Sequence, residues 1–130
     1  MRSPVTASSG APIEIEMRPL RYPMFDAVVI LRGEHDLASA PAIDGALESI
    51  GGDVLVNLSE CTFCDSSVVR VLFDAGRTRR LEGRRIELLV PSANVAIARI
   101  FDITGLGSRV TIHHELDRIA VDVPRTVFTT

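Results

Sequence analysis

Residues 53–73 read DVLVNLSECTFCDSSVVRVLF, and this stretch carries the strongest structural signals in the chain. The apolar run at 54–58 predicts a strand that is buried on both faces. After a short polar turn, apolar residues recur at three- and four-residue spacings, which is the period of an amphipathic helix. The sequence therefore predicts a strand that runs through the turn into a helix beginning at Ser66.

Asp65, Ser66 and Ser67 lie at this predicted junction between strand and helix. The first turn of a helix has unpaired N–H groups and a partial positive charge, and both favour an anion. A side-chain oxygen placed there can cap the helix, and a serine hydroxyl can also accept a phosphoryl group. The residues alone leave both roles open for Ser66, and the two roles are compatible.

The rest of the chain predicts further strands and helices in alternation. Strands are predicted at 13–17, 27–31, 54–58, 86–90 and 110–112, a turn at 33–36, and helices from about 41 to 51, from 66 to 82, from 91 to 104 and from 115 to 123. This order predicts an α/β fold with a mixed, mostly parallel sheet of four to five strands, covered by about four helices.

Two of the predicted helices have a clear apolar face. The residues expected to face the core are Val68, Val69, Leu72, Ala75 and Gly76 in the helix after Ser66, and Val95, Ala96, Ile100 and Phe101 in the helix after Pro91. Glycines at 83 and 105 are expected to end these two helices.

The composition fits one compact domain, predicted at residues 13–125. The chain has 130 residues, of which 46% are hydrophobic, and its net charge of −3 gives no general case for nucleic acid binding. No apolar run approaches the roughly 20 residues of a membrane span. Residues 1–12 are small and polar, so we expect a disordered tail without a signal peptide, a cytoplasmic protein and reduced cysteines.

Three segments, in order, resemble those of one known family. Residues 33–41, GEHDLASAP, are similar to a Gly-Glu-x-Asp loop that leads into a helix, and residues 56–58 with 63–67 are similar to a strand and phosphorylation loop. Residues 91–95 with 101–106 are similar to the family's third helix and exit turn. The chain resembles the STAS domain family, whose bacterial members include the anti-sigma-factor antagonists, and the match covers most of the predicted domain.

The resemblance implies a set of site residues. In the antagonists, the first serine of Asp-Ser-Ser is phosphorylated by a partner anti-sigma kinase, and that serine corresponds to Ser66 here. It also implies that acidic residues near the phosphosite order the loop or contact the kinase, and that an apolar residue supports it. The residues expected at the partner surface are Asp36, Asp65, Ser67, Val69 and Arg70.

The chain departs from the family pattern immediately after the serines. The family usually continues Asp-Ser-Ser-Gly-Leu-Gly, whereas this chain has Val68, Val69 and Arg70. We expect Val68 and Arg70 to alter the smooth surface that the glycines leave. Arg70 lies four residues after Ser66 on the same helix face, where its guanidinium can pair with a phosphoserine or, at the next step, with Asp74.

Other polar groups have less specific patterns. Cys61 and Cys64 have the spacing of redox and zinc motifs, but an extended chain would point them to opposite faces, so we expect structural cysteines and no metal. The basic run at 77–85 lacks interleaved aromatics and favours a solvated helix end. No base accompanies Ser66, so catalysis by this serine is not expected.

The function implied by the resemblance is that of an anti-sigma-factor antagonist. Such a protein binds an anti-sigma factor and frees the sigma factor for transcription, until the partner phosphorylates it with ATP that the partner binds. We therefore expect no enzyme activity, no cofactor, and no direct contact with nucleic acid or membrane. The alternative is a STAS module without a phosphorylation switch, which binds a small ligand or acts as a scaffold subunit.

Overall fold

The computed structural model describes residues 11–115 and residue 120. Its main sheet has five strands in the order β1-β2-β4-β6-β7. The strands are β1 (Ile13–Met17), β2 (Ala27–Leu31), β4 (Val54–Asn57), β6 (Ile86–Leu89) and β7 (Thr111–His113), with β3 (Gly33–His35) and β5 (Cys61–Cys64) in a second sheet. The β1 strand is antiparallel to β2, and the other three pairings are parallel. The predicted mixed, mostly parallel sheet is confirmed.

The described residues contain three α-helices, fewer than the four or so predicted. They are α1 (Ala40–Glu48), α2 (Ser66–Leu81) and α3 (Val95–Thr104), followed by a short 3₁₀ helix, Leu106–Ser108. The fourth predicted helix, at 115–123, falls outside the described residues except for its first residue and Ala120. No helix in the described part of the chain has both the length and the apolar character that crossing a bilayer requires.

The short second sheet corrects the prediction of a simple turn at 33–36. Here β3 pairs in parallel with β5, so that Gly33 lies opposite Cys61 and His35 opposite Cys64. Three residues are too few to show a period of two, which is why the pattern did not reveal this strand. This small sheet is important because its two strands end at the two loops of the predicted site.

The two cysteines also differ from the prediction, since both are buried with 1% exposure instead of facing opposite sides. The pairing between β3 and β5 shifts register between Gly33 and Glu34, which leaves Thr62 without a partner. Such a bulge adds one residue to the strand and breaks strict alternation. Cys61 and Cys64 can therefore both point into the core.

The core lies between the main sheet and the helices. The α2 helix buries Val68, Val69, Leu72 and Gly76, close to the predicted face. The α3 helix differs: it begins only at Val95, after a turn in which the Asn94 N–H donates to the Pro91 carbonyl. This late start changes its inner face to Ile97 and Phe101 and leaves Val95 62% exposed.

The C-terminal ends of α2 and α3 follow the predicted signals closely, whereas α1 ends at Glu48, about three residues before its predicted end. Gly105 caps α3 with a φ of 72°, a left-handed conformation that suits glycine.

At the N-terminal end of the domain, two residues predicted to belong to the tail are held in place. The Arg32 N–H donates to the Pro12 carbonyl at 2.9 Å, and the Arg32 guanidinium donates to the Ala11 carbonyl at 3.3 Å. The remainder of the predicted tail, residues 1–10, lies outside the described residues.

Candidate functional site

Asp65 caps the α2 helix at the junction predicted from the sequence. Its backbone is extended, and its Oδ1 accepts hydrogen bonds from the N–H groups of Ser67 at 3.0 Å and Val68 at 3.4 Å. Two of the donors that a helix N-terminus leaves unpaired are thereby satisfied. The cap role that the sequence left open for Ser66 or Asp65 therefore belongs to Asp65.

The two serines have different environments. The Ser67 hydroxyl donates a hydrogen bond to Asp65 Oδ1, so it is already engaged. Ser66 is the first residue of α2 and is exposed, and its hydroxyl forms no hydrogen bond with any described residue. Ser66 is thus the serine whose hydroxyl is accessible to a macromolecular partner, at the helix end where negative charge is favoured.

The carboxylate of Asp65 is held in its ionised form by its neighbours. The hydrogen bond from the Ser67 hydroxyl contributes most to lowering the pKa of Asp65, with further contributions from the backbone N–H groups of Val68, Ser67 and Leu37. The Leu37 contribution comes from a different part of the chain, the loop after β3. Asp65 therefore links the predicted phosphosite to the Gly-Glu-x-Asp loop.

Asp36 orders that loop by a local turn. Its Oδ1 accepts from the Ala38 N–H at 2.9 Å, and its carbonyl accepts from the N–H groups of Ser39 and Ala40 at 3.1 and 3.0 Å. The Ser39 hydroxyl accepts in turn from the Asp36 N–H at 3.0 Å. The Asp36 side chain is exposed, so it combines a loop-ordering role with access to a partner.

His35 is a site residue that the sequence analysis did not single out. It is 1% exposed, and its Nε2 lies 2.9 Å from the Arg32 carbonyl and 3.1 Å from the Pro12 carbonyl, which requires Nε2 to donate. Its own carbonyl accepts from the Asp65 N–H at 3.2 Å. The buried side chain of His35 therefore fixes the start of the loop that contains Asp36, and the His35 carbonyl joins this loop to Asp65, the cap of α2.

The positions after the serines fall on two sides of the helix. Val68 is fully buried and Val69 is 7% exposed, so neither presents a side chain to a partner. The expectation that Val68 disturbs the docking surface is wrong, because its side chain is part of the core. Val69, which the resemblance places at the partner surface, is likewise part of the core. Only Arg70 changes the surface beside Ser66, and it forms no ion pair with Asp74.

A surface cavity of about 700 Å³ lies next to Ser66. Its lining includes Arg70, Phe73, Arg77 and Thr104, so it is bounded by α2 and by the end of α3. The guanidinium of Arg109 lies 5.4 Å from the centre of the Phe73 ring. Arg77 and Arg109 are thus near the site, although the sequence pattern indicated only a solvated helix end for Arg77.

The predicted basic run is split by the fold into separate groups. Arg79 is buried and donates to the carbonyls of Leu47, Ile50 and Gly52 at the end of α1. Arg85 is paired with Asp53 and Glu87 on the sheet. Only the exposed arginines of α2 are directed toward solvent, so the run does not form one continuous surface.

The cysteines have no metal partners in the part of the chain that the structure describes. No group of three or more His, Cys, Asp or Glu side chains there could hold a metal ion. The hydrogen bond with Cys61, together with burial, raises the pKa of the Cys64 thiol. A buried thiol of this kind remains protonated and behaves as a small apolar side chain.

Comparison with known proteins identifies the family of the chain. The family model described as "Mlab, STAS domain" matches residues 24–116, which is more than half of the chain. No curated protein matches the sequence significantly. Among solved structures, an anti-sigma factor antagonist from Mycobacterium paratuberculosis is 20% identical with a TM-score of 0.64, and the match covers 82% of this chain and 88% of that chain.

A second solved relative is known in two forms. The anti-sigma factor antagonist SpoIIAA in its unphosphorylated form is 26% identical with a TM-score of 0.59, over 82% of this chain and 92% of that one. The phosphorylated form of SpoIIAA, a Bacillus cell fate determinant, is 23% identical with a TM-score of 0.58, over 82% and 96% of the two chains. The matches below 25% identity support the fold. With the family match over 24–116, they confirm the predicted resemblance: this chain belongs to the STAS domain family.

Proposed function

We propose that this protein is an anti-sigma-factor antagonist whose binding to an anti-sigma factor is switched off by phosphorylation of Ser66. The accessible Ser66 hydroxyl carries this proposal, since the neighbouring Ser67 hydroxyl is held by Asp65. The likeness to SpoIIAA, a named antagonist with a phosphorylated form, supports the same function.

In this proposal the chain supplies the acceptor hydroxyl, and the kinase partner supplies the phosphoryl donor and the catalytic groups. Phosphoryl transfer needs the γ-phosphate in line with the attacking hydroxyl, and it is accelerated mainly by positioning and charge stabilisation. Asp65 and Asp36 order the two loops around Ser66, while its kinase partner brings ATP and magnesium. In this proposal the protein is a substrate and a binding partner and has no catalytic activity of its own.

Phosphorylation would act on binding through charge. A phosphoserine adds about −1.5 to −2 charges at neutral pH, on a surface that a bound partner would have to desolvate. Because Ser66 is exposed and lies at the start of α2, the phosphate would be tolerated by the free protein. The modified surface would then be stable in solution but unfavourable in the complex.

A second candidate function is a STAS module that binds a small ligand without phosphorylation. The observation in its favour is a groove of about 800 Å³ between α1 and α2. Its lining combines apolar side chains, such as Leu47 and Val71, with charged ones, such as Glu48 and Arg70. The volume is within the range of small-molecule sites, and its charged lining residues would favour a polar ligand.

Incubation with candidate anti-sigma kinases and ATP, followed by mass spectrometry, tests the proposal. We expect one phosphate on Ser66 in the wild type and in Ser67→Ala, and none in Ser66→Ala. The modified protein should also lose affinity for the anti-sigma factor that phosphorylated it. Efficient phosphorylation of Ser66→Ala at Ser67 would contradict the assignment. Binding that is unaffected by phosphate, together with saturable small-molecule binding in the groove between α1 and α2, would favour the second candidate.

A further inference from the structure

Three exposed arginines lie on or beside the cavity next to Ser66, and no pattern in the sequence grouped them together. Arg70 and Arg77 lie four and eleven residues after Ser66, on the same face of α2, and both line the 700 Å³ cavity. Arg109, in the segment after α3, places its guanidinium 5.4 Å from the centre of the ring of Phe73, a side chain that lines this cavity. We call Arg70, Arg77 and Arg109 the arginine surface.

The three arginines of this surface have no ion pair among the described residues, although Arg109 packs on Phe73. No carboxylate in the described part of the chain forms an ion pair with any of them, whereas Arg32, with Glu14 at 2.7 Å, and Arg84 and Arg85 all have such partners. Asp74 is a carboxylate in the lining of the same cavity, but the three guanidinium groups outnumber it, so an anionic partner would be attracted to this surface. This local positive charge also contrasts with the net charge of −3 for the whole chain.

We propose that the arginine surface docks an extended acidic segment of the protein partner, immediately beside Ser66. Arg70 and Arg77 are seven residues apart on a helix, which separates their backbones by about 10 Å. Carboxylates three residues apart in a segment of polyproline II conformation, which has three residues per turn and rises about 3.1 Å per residue, lie on one face about 9 Å apart. The array thus matches a row of carboxylates, each of which a guanidinium can bind in a bidentate manner.

The same geometry is less suited to other anions. A single phosphate is bound best by donors that converge on one point, whereas Arg70 and Arg77 are spread along two turns of α2 and Arg109 lies outside that helix. A nucleic acid would also meet Asp74, which lines the cavity between the arginines, and the overall negative charge of the protein. A protein segment can place a neutral or donor side chain opposite Asp74, which a continuous phosphate backbone cannot.

The surface also suggests how phosphorylation would weaken docking, a step that rests on the proposed function. Arg70 is one helical turn from Ser66, within reach of a phosphate on that residue. A phosphoserine would pair with Arg70 and so remove one of the cations that the acidic segment uses. The switch would then combine repulsion of the partner's carboxylates with the loss of Arg70 as a donor.

A peptide experiment tests the surface without any knowledge of the partner. The probe is a labelled peptide of four Glu-Ser-Ser repeats, with Gln-Ser-Ser repeats as the uncharged control, titrated at low ionic strength while amide chemical shifts are recorded. We expect shifts centred on residues 66–77 and around Arg109, and affinity reduced at least about fivefold by Arg70→Glu or Arg77→Glu. Arg21→Glu, which makes the same charge change at the opposite end of the sheet, should reduce affinity less than about twofold.

Several outcomes would overturn the inference. Equal weakening by Arg21→Glu, or shifts located elsewhere, would show only non-specific attraction. An equally strong response to inorganic phosphate would indicate a site for a single ion, and tighter binding of duplex DNA would indicate a nucleic acid surface. These results do not depend on phosphorylation, so the surface can fail while the proposed function holds, and the reverse.

A second arm tests the competition for Arg70 with protein that carries genetically encoded phosphoserine at position 66. We expect phosphoserine to weaken binding of the Glu-Ser-Ser peptide more in the wild type than in Arg70→Gly, where the competing arginine is already absent. Equal weakening in both backgrounds would show that repulsion alone accounts for the effect and would overturn the competition.

Discussion

At the residue scale, one carboxylate determines which serine is available. Asp65 accepts from the Ser67 hydroxyl and from the first backbone donors of α2, and so leaves Ser66 as the accessible hydroxyl. Because Asp65 caps the helix and also accepts from the Ser67 hydroxyl, two serines of the same chemistry differ in the accessibility of their hydroxyl groups. The distinction between Ser66 and Ser67 is therefore a matter of hydrogen bonding, not of reactivity.

The charge of Asp65 should make a measurable contribution to stability that depends on pH. Because the pKa of Asp65 is lowered in the folded state, the contribution is complete above the unfolded pKa of about 3.9 and is lost as pH falls through the lower folded value. Asp65→Asn should melt about 2–5 °C below wild type at pH 7. Thermal melts should show this gap shrinking below about pH 3.9, and a gap of constant size down to pH 3 would contradict this role of Asp65.

Cys64 should behave as a structural residue. It is 1% exposed in the core directly before Asp65, so Cys64→Ser buries a hydroxyl beside a weak sulfur acceptor. We expect a loss of about 1–3 kcal/mol in the free energy of unfolding, measured by urea denaturation. Cys64→Ala, which removes the sulfur without adding a polar group, should be the more stable of the two variants. A serine variant as stable as wild type would mean that the hydroxyl finds a good partner.

At the element scale, α1 and α2 are joined by a buried arginine. Arg79 reaches from the last turns of α2 to three carbonyls at and after the end of α1, at Leu47, Ile50 and Gly52. The last carbonyls of a helix lack hydrogen-bond donors within the helix. Here the guanidinium of Arg79, from the neighbouring helix, donates to carbonyls at and after the end of α1. The two loops of the site lead directly into α1 and α2. We therefore expect the packing of these two helices to depend on the contacts of Arg79.

Loss of Arg79 should therefore destabilise the domain strongly. Arg79→Ala leaves buried carbonyls without their donor, and we expect it to reduce the free energy of unfolding by about 2–4 kcal/mol. Arg77→Ala provides a matched control two residues earlier, and its exposed side chain should change stability by less than about 0.5 kcal/mol. Similar effects of the two substitutions in chemical denaturation would show that Arg79 does not support the packing of α1 on α2.

The elements that the sequence predicted well are those with long, regular patterns. Val54–Asn57 and Ser66–Leu81 carry uninterrupted apolar runs or helical spacings, and both formed as expected. Gly33–His35 was missed because a strand of three residues has no detectable period. The common orientation of Cys61 and Cys64 depends on a bulge, which is set by pairing with another strand and not by local sequence.

The sequence indicated which residues belong to the candidate site, but it did not indicate the environment of each side chain. The resemblance located Ser66 and the loop at Asp36, yet the position of Val68 in the core depends on how α2 rotates against the sheet. The contribution of Arg109 was equally hidden, because a residue 43 positions after Ser66 reaches the site only through the fold. Sequence patterns reveal residues that are close along the chain, whereas these contacts join residues that are distant in sequence.

At the scale of the whole molecule, the topology places both loops of the site together. Both β3 and β5 are parallel neighbours, so their carboxyl ends lie at the same edge, and Asp36 and Asp65 directly follow these ends. The core lies on the other side of α2 from Ser66. A modification at this edge is therefore separated from the packing that stabilises the domain.

Phosphorylation of Ser66 should consequently leave the fold unchanged. A phosphate at the first residue of α2 is exposed, is favoured by the helix N-terminus, and displaces none of the bonds made by Asp65. Protein with phosphoserine encoded at position 66 should show amide chemical-shift changes confined to the loop at Asp36, the first turns of α2 and the arginine surface. Phosphoserine encoded at Ser92, another exposed loop position, controls for the added charge. Shifts that spread from Ser66 through β2, β4 and β6 would instead show that the switch works by rearranging the core.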